Sequence, residues 1–418
     1  MFLKNCRICG SKDIEEVVDL GSHPPADTFI PSGYEYSHLP VYPLRLAKCS
    51  NCHHVFTKYF VAPEERYQKY EYSYDSSNSV VAEEHFKTFA ESVIKNSTLD
   101  QESLIIDIGG NVGTLLSKFK ENNYLNVLNI EPSENIAKIS KQNGIMTINK
   151  FFNESIEEIK KVGSVDCVLS SNVLNHTDDI NDVLIKTKEI LSKNGILVFE
   201  VPYLYDLLEQ VAFDTIYHEH VHYFSVKALK YLMKKNNLII TNVMNISYMC
   251  GSLRVFVQKE TSNAKESEHV NDFIKKEESV DLFSNKKYQK FMKNIREMKI
   301  NINSQIFNIL KDGGKVVGVG AATKGNTLLN FFNLDKDSIS YLTDASILKI
   351  GKVAPGSMIP IVDDKDIDTD VTHLLILPWN IAEFLKSKLE HLNKTFIIPE
   401  INEKYTITKK EKDTEKEN

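Results

Sequence analysis

The chain has 418 residues, room for two to four domains at roughly 100 to 200 residues each, and its 42% hydrophobic against 26% charged residues exclude global disorder. Fifty Lys plus Arg face 57 Asp plus Glu, a formal charge of −7 that opposes a phosphate backbone as the main partner, so no nucleic acid is expected. No apolar run approaches the roughly 18 residues of a bilayer span, and the opening MFLKNCRICG lacks the apolar core of an export signal, so a cytoplasmic protein without a membrane partner is expected.

Cysteine spacing is the first feature in chain order. Four of the six cysteines form two C-x-x-C pairs, Cys6 with Cys9 and Cys49 with Cys52. Without an export signal, this placement argues against disulfides. A two-residue spacer in a tight turn aims both sulfurs at one point, so the two pairs can hold one structural zinc tetrahedrally. The long stretch between the pairs leaves His53 and His54 open as substitute ligands, and a redox dithiol is the competing reading. Cys167 and Cys250 sit in apolar surroundings and read as buried, inert thiols. Between the knuckles, GSHPPADTFI and PVYPLRLAKC read as short, proline-punctuated extended segments, which makes residues 1–75 a metal-stapled module. Near its end Tyr70, Tyr72 and Tyr74 alternate, as on an extended segment with one aromatic face. Such a face either packs as a connector or brings a phenol to a polar substrate.

Residues 76–260 read as a second domain. From Ser103, SLIIDIGGNVGTLLSKF is an apolar strand, a glycine-rich turn and an amphipathic helix beginning near Gly113. Asp107, Gly109, Gly110 and Gly113 form a loop whose glycines let the backbone approach a bound nucleoside. About 20 residues on, the next strand ends in Glu131 and Pro132, where an acid can accept hydrogen bonds from ribose hydroxyls. This layout could hold NAD, but the strict G-x-G-x-x-G spacing is absent, and SVDCVLSSNVLNHTDDI followed by GILVFEVPYL fits a methyl-donor domain better. Strands near 104–108, 126–131, 165–170 and 196–201 alternate with helical stretches, the pattern of a doubly wound parallel sheet whose ligands sit at strand carboxyl ends. Asn172 lies at such an end; it and His176 either line the site or cap and pack the next helix.

Residues 217–225, YHEHVHYFS, concentrate ionisable and aromatic groups. His218, Glu219 and His222 match H-E-x-x-H, which holds catalytic zinc only on a helix. Here Ser225 precedes VKALKYLMKKNN, whose apolar positions repeat at helical spacing, so Ser225 reads as an N-cap and the histidines come before the helix. Acid–base chemistry fits better: His220 can take a proton near neutral pH, with Glu219 to orient it or stabilise its charge. An interdomain hydrogen-bonding cluster is the other reading.

Residues 261–410 begin with charged, helix-forming sequence that reads as one long linking helix. KVVGVGAATKGNTLLNFF follows, a second strand, glycine turn and helix, with later strands near SISYLTDAS and THLLILPWN. The turn GAATKGNT is not a Walker loop, yet amides at a helix start together with Lys324 and Asn326 suit a diphosphate; a plain turn packed by glycine is the alternative. The polar loop 344–361, with Lys352, reads as a ligand-gripping edge, and residues 411–418 as a solvated tail. The expected architecture is therefore α/β throughout: a small zinc module, a doubly wound Rossmann-like domain, and a second Rossmann-like domain.

Taken in order, the paired knuckles, the Y-x-Y-x-S-S-x-S connector, DIGGNVG, SNVLNH, YHEHVHYFS, GAATKGNTLLNF and PGSMIPI resemble the S-adenosylmethionine-dependent sugar C-methyltransferases over nearly the whole chain. The resemblance implies a zinc domain, a methyl-donor domain and a C-terminal domain gripping a nucleotide-diphosphate deoxy-keto-sugar, in a monomer or homodimer. The family's Y-x-E-H element falls on Tyr217, Glu219 and His220, with His220 as base; its N-x-x-x-H element falls on Asn172 and His176. The connector tyrosine falls on Tyr74, with Tyr72 close in spacing. His222 and the acidic Asp178 and Asp179 depart from the pattern, and the first opens the question of whether His220 alone is the base.

Carbon becomes nucleophilic when a neighbouring ketone lets a proton leave, so the expected chemistry is proton abstraction by His220, enolate stabilisation by Tyr217 and methyl transfer to carbon. The rival readings are a sugar O-methyltransferase, an NAD-dependent oxidoreductase using Asp344 as a ribose acid, and a zinc scaffold without catalysis.

Overall fold

The structure, a computed structural model, describes residues 1–33, 39–67 and 80–399. Tyr70, Tyr72, Tyr74 and the tail 411–418 lie outside the described residues. The middle sheet has seven strands: β1 (Ile105–Ile108), β2 (Val127–Ile130), β3 (Thr147–Ile148), β4 (Val165–Ser171), β5 (Leu191–Pro202), β6 (Leu238–Ile246) and β7 (Ser252–Lys259). Their spatial order is 6-7-5-4-1-2-3, with β7 antiparallel to both of its neighbours and β1 to β5 paired in parallel. All four residues of β1 are buried, and so are all four of β2, because helices cover both faces and an inner parallel strand has no wet side. Helices Val80–Lys95 and Thr114–Glu121 pack Phe86, Phe89, Leu115 and Phe119 on one face; Ile156–Val162, Ile180–Ile190 and Val226–Lys235 pack the other. Strand order reverses between β1 and β4, which opens the ligand crevice of such sheets above their carboxyl ends.

The C-terminal sheet repeats this plan with β8 (Val316–Val319), β9 (Leu342–Asp344), β10 (Ile361–Asp363), β11 (His373–Ile376) and β12 (Thr395–Ile397), all parallel in the order 10-9-8-11-12. Its reversal lies between β8 and β11, where helix Thr323–Phe332 begins. Two helices, Glu268–Ser279 and Asn285–Lys311, replace the single linking helix expected from composition. The break has a local cause: Asp281 adopts a left-handed φ of 54°, and the Ser284 hydroxyl caps the second helix by accepting from the Lys287 amide. Helix Asn285–Lys311 then buries Tyr288, Phe291, Ile295, Met298, Ile302 and Ile306 at helical spacing against the C-terminal core. No described helix is long and apolar enough to cross a membrane.

The zinc module does not stand apart. Strands Ile14–His23, Tyr42–Cys49 and Val55–Thr57 form an antiparallel sheet whose fourth strand is His222–Tyr223, paired with Phe56 and Val55. On its other side, Ile30–Pro31 pairs with Lys352–Val353 in the loop of the C-terminal domain. The module is thus stitched by backbone to both nucleotide-fold domains.

Candidate active site and metal centre

The four cysteine sulfurs all lie within 4.8 Å of one another, with Cys6 and Cys52 at 3.5 Å and Cys9 and Cys49 at 3.5 Å. A zinc tetrahedron with Zn–S near 2.3 Å has sulfur–sulfur edges of about 3.8 Å, so the set fits that ion, and four thiolates leave no open position for catalysis. His53 and His54 are not ligands. The His53 ring packs on Phe283, and His54 donates from Nε2 to His222 Nδ1 at 2.8 Å.

In the middle domain, Gly109 and Gly113 have φ of +66° and +85°. A Cβ on Gly109 would stand 2.6 Å from Val173, and one on Gly110 would stand 2.7 Å from the Asp107 carboxylate. These glycines bring the turn against Asp107 and the segment after β4. Asp107 is fully buried with Oδ1 unpartnered, and burial, helped by Glu131 and Glu200, pushes its carboxyl up to about 8. Glu131 closes the loop by accepting the amides of Asn111 at 3.1 Å and Ser133 at 2.8 Å. An orphaned carboxylate oxygen beside a cradle that side chains would fill suits a nucleoside bearing donors, as S-adenosylmethionine does. Pro132 continues this rim, and its carbonyl accepts from Asn149. Asn129 was not foreseen: its amide donates to the Asn111 carbonyl at 2.8 Å and so holds the loop from below. A polar residue inside the apolar strand NVLNI was the available signal.

Across the crevice, Asn172 sits in a left-handed conformation at φ 54°, with its side-chain oxygen buried and unpartnered. Four residues on, the His176 ring meets the His220 ring edge to face at 4.8 Å. The 217–225 segment therefore packs on residues 172–177, just past the carboxyl end of β4, to which it is tied by the Val221 amide on the Asn175 carbonyl at 2.8 Å. His220 Nδ1 bonds the Thr215 carbonyl at 2.8 Å, and Nε2 bonds the Tyr217 hydroxyl at 2.6 Å. Burial pushes the imidazole down to about 4.

Glu219 does not orient that ring. Its two oxygens accept the Ala26 amide at 3.4 Å and the Asp27 amide at 3.1 Å, and burial raises its carboxyl to about 7. His222 turns away as well, donating from Nε2 to the Thr177 carbonyl at 2.8 Å while Nδ1 accepts from His54. His218 donates to the Tyr42 carbonyl at 3.2 Å. As the N-cap at Ser225 indicates, its hydroxyl accepting from Ala228, these residues precede the helix and do not converge on a metal. Asp178 pairs with Arg7 at 3.0 Å and with Arg66, and Asp179 caps helix Ile180–Ile190, so both acids serve structure.

The C-terminal candidates divide. Lys324 reaches inward to Asp214 at 3.3 Å and lies over the Trp379 ring at 4.5 Å, with the Cys250 sulfur at 3.5 Å. Asn326 is buried and donates to the Ala26 carbonyl at 2.7 Å, so its amide serves the junction with the zinc module in place of a diphosphate. Lys352 is half-buried and pairs by backbone with the exposed Pro31. A buried trio also escaped sequence reasoning: His85 Nε2 at 2.7 Å from Glu200, with Arg254 on the other Glu200 oxygen at 2.7 Å. Their separation along the chain hides them.

Residues 6–67 match a family described as "Putative zinc binding domain", residues 81–243 a "Methyltransferase domain", and residues 247–399 a "C-methyltransferase C-terminal domain". The chain is similar to the C-methyltransferase NovU of Streptomyces niveus, 28% identical over 403 residues and 95% of each protein. It is also similar to a "Putative methyltransferase" of Geobacillus sp. (strain WCH70), 25% identical over 165 residues, 38% of this chain and 66% of that one. Among solved structures, the magnesium protoporphyrin IX methyltransferase ChlM of Synechocystis PCC 6803 aligns at a TM-score of 0.32 and 12% identity, over 42% of this chain and 79% of its own. With a four-cysteine zinc site, a donor crevice and a C-terminal parallel sheet in the order those three matches require, the chain belongs to the S-adenosylmethionine-dependent C-methyltransferases.

Proposed function

We propose that the protein methylates a ring carbon next to the ketone of a nucleotide-linked deoxy-keto-sugar, with His220 as the base. One observation carries this reading. A carbonyl only accepts, so the bond from His220 to Thr215 puts the ring proton on Nδ1 and leaves the Nε2 lone pair facing Tyr217. Because burial holds the imidazole neutral at pH 7, that lone pair is available to a carbon acid. Tyr217 donates to it in the resting site. The phenol must swing off Nε2 before that nitrogen takes the substrate proton, and it can then donate to the enolate oxygen. Asp107, Glu131 and the 109–113 turn would hold S-adenosylmethionine, with Asn172 on the facing wall. When bound, it supplies an electrophilic methyl on a sulfonium sulfur. The crevice between β8 and β11 supports a nucleotide-diphosphate handle on the C-terminal domain, since open α/β sheets bind ligands at such reversals.

The test is turnover of TDP-, UDP-, GDP- and CDP-linked keto-sugars, with product mass and proton NMR to place the methyl. A C-methyl product is expected from one of the four nucleotides. Replacing His220 with Asn should lower kcat by about 10²- to 10⁴-fold while the calorimetric affinity for S-adenosylmethionine stays within about twofold. Wild-type rates in His220→Asn, or a methyl on oxygen, would sink the proposal.

A further inference from the structure

Helix Thr323–Phe332 of the C-terminal domain holds the base-bearing segment at two places, one of them through the zinc module. Directly, the Thr327 hydroxyl donates to the Ile216 carbonyl at 3.0 Å, one residue before Tyr217. Indirectly, the Asn326 amide donates to the Ala26 carbonyl at 2.7 Å, and the Thr323 hydroxyl donates to Asp27 Oδ1 at 2.7 Å. The amides of the same two residues, Ala26 and Asp27, are what the Glu219 carboxylate accepts. Ala26, Glu219 and Asn326 are all at most 3% exposed, so the arm through Asn326 is buried throughout, while Thr323 on the other arm is half-buried. Glu219 is bonded in sequence to His220. The carbonyl of His220 is itself pinned by the Thr57 hydroxyl at 2.6 Å.

We propose that Thr323 and Asn326 are positioning residues: acting through Ala26 and Asp27 on Glu219, they fix the orientation of the His220 ring from a site about a hundred residues further along the chain. Glu219 then serves as the anchor of this clamp, which accounts for a carboxylate next to the base whose oxygens both point away from it. The inference rests on the reading of His220 as the base. Small displacements at a base are costly, because roughly 1 Å of misplacement can lower a rate by about 10²-fold.

The experiment uses the full-length zinc-loaded protein and three variants, Asn326→Ala, Thr323→Val and Thr323→Ser. Histidine-labelled protein is followed by long-range proton–nitrogen correlation of the imidazoles, which needs no sugar substrate. In the wild type and in Thr323→Ser, which keeps the hydroxyl, His220 should show the single Nδ1–H tautomer. In Asn326→Ala and Thr323→Val its signals should broaden or split between tautomers. In the same two variants kcat should fall about 10- to 100-fold, measured with whichever keto-sugar nucleotide turns over. Affinity for S-adenosylmethionine should remain within about twofold. The clamp holds best with Glu219 ionised and accepting both amides, so the acid limb of the kcat profile should move to higher pH when Glu219 loses the Asp27 amide that favours its ionised form. The other groups facing Glu219, the Asp27 carboxylate, Arg66 and Tyr223, are unaltered in these variants. Unchanged His220 signals and kcat in folded variants would overturn the clamp. So would a parallel loss of melting temperature, cofactor affinity and kcat with a stationary acid limb. Should Asn326→Ala fail to fold, the Thr323→Val and Thr323→Ser pair decides alone. An inactive His220→Asn beside fully active clamp variants rejects the clamp and keeps the base; an active His220→Asn rejects the base.

Discussion

Asp107 carries two burdens that pull in opposite directions. Its carboxyl is buried against Glu131 and Glu200 and titrates near 8, while its unfolded counterpart titrates near 4. An acid raised on folding leaves stability intact below the unfolded pKa and loses it as pH climbs toward the folded value. Replacing Asp107 with Asn should therefore raise the melting temperature of the ligand-free protein by a few degrees at pH 7.5, measured by calorimetry. The same change should weaken S-adenosylmethionine binding by about 10- to 100-fold, since a donor replaces one of the two acceptor oxygens that face the ligand. A lower melting temperature, or undiminished affinity, would contradict this account. Asp107 and Glu131 could be singled out from their spacing because a strand, a glycine turn and a following acid are local in sequence. The group that sets the His220 tautomer could not: a backbone carbonyl, at Thr215, has no residue type to betray it.

Helix Val226–Lys235 illustrates the same limit one level up. Its start was legible from Ser225 and the apolar spacing, and the hydroxyl does accept the Ala228 amide. Its second cap comes from far away. Glu277, on helix Glu268–Ser279, accepts the amides of Val226 and Lys227 and the Tyr203 hydroxyl while fully buried. A carboxylate there satisfies orphan donors and faces the positive end of the helix dipole. Glu277→Ala should cost about 2 to 4 kcal/mol in urea unfolding, by leaving buried donors unpaired, and Glu277→Gln about half as much because one acceptor remains. Equal losses in the two variants would exclude the capping role. The HEHVHY stretch behaves likewise. Its order before the helix was readable, but its last two residues become a strand only because Val55 and Phe56 offer an open edge.

Across the whole molecule, buried carboxyls and buried imidazoles oppose each other. Burial raises Asp107 to about 8 and Glu219 and Glu277 to about 7, and also raises Glu131 and Asp206. It lowers His218 and His220 to about 4 and His222 to about 3, and holds His54 and His176 well below their ordinary value. Between about pH 4.5 and 6.5 the folded chain keeps protons on the acids that the unfolded chain sheds, and lacks protons on the imidazoles that the unfolded chain takes up. The two differences offset. Above pH 6.5 only the acids differ, so stability should fall toward pH 8; below about pH 4 only the imidazoles differ, so it should fall again. Urea midpoints from pH 3 to 8.5 should trace a plateau with a loss on each side, and a steady rise from pH 5 to 8 would refute this balance.

By itself the sequence determined the α/β class, the four zinc cysteines, the strand, glycine turn and helix that begin the middle sheet, and the placement of the histidines ahead of their helix. Each is written in spacings short enough for one strand, turn or helix to enforce. Tertiary structure alone decided what those histidines do. Of the four imidazoles at 54, 218, 220 and 222, three are tied into the junction with the zinc module and one has its lone pair beside a phenol, according to which carbonyls and amides packing brings within reach. The division has a physical reason: side-chain chemistry and periodicity are local properties of a chain, whereas a hydrogen-bond partner hundreds of residues away exists only once burial has excluded water from the space between.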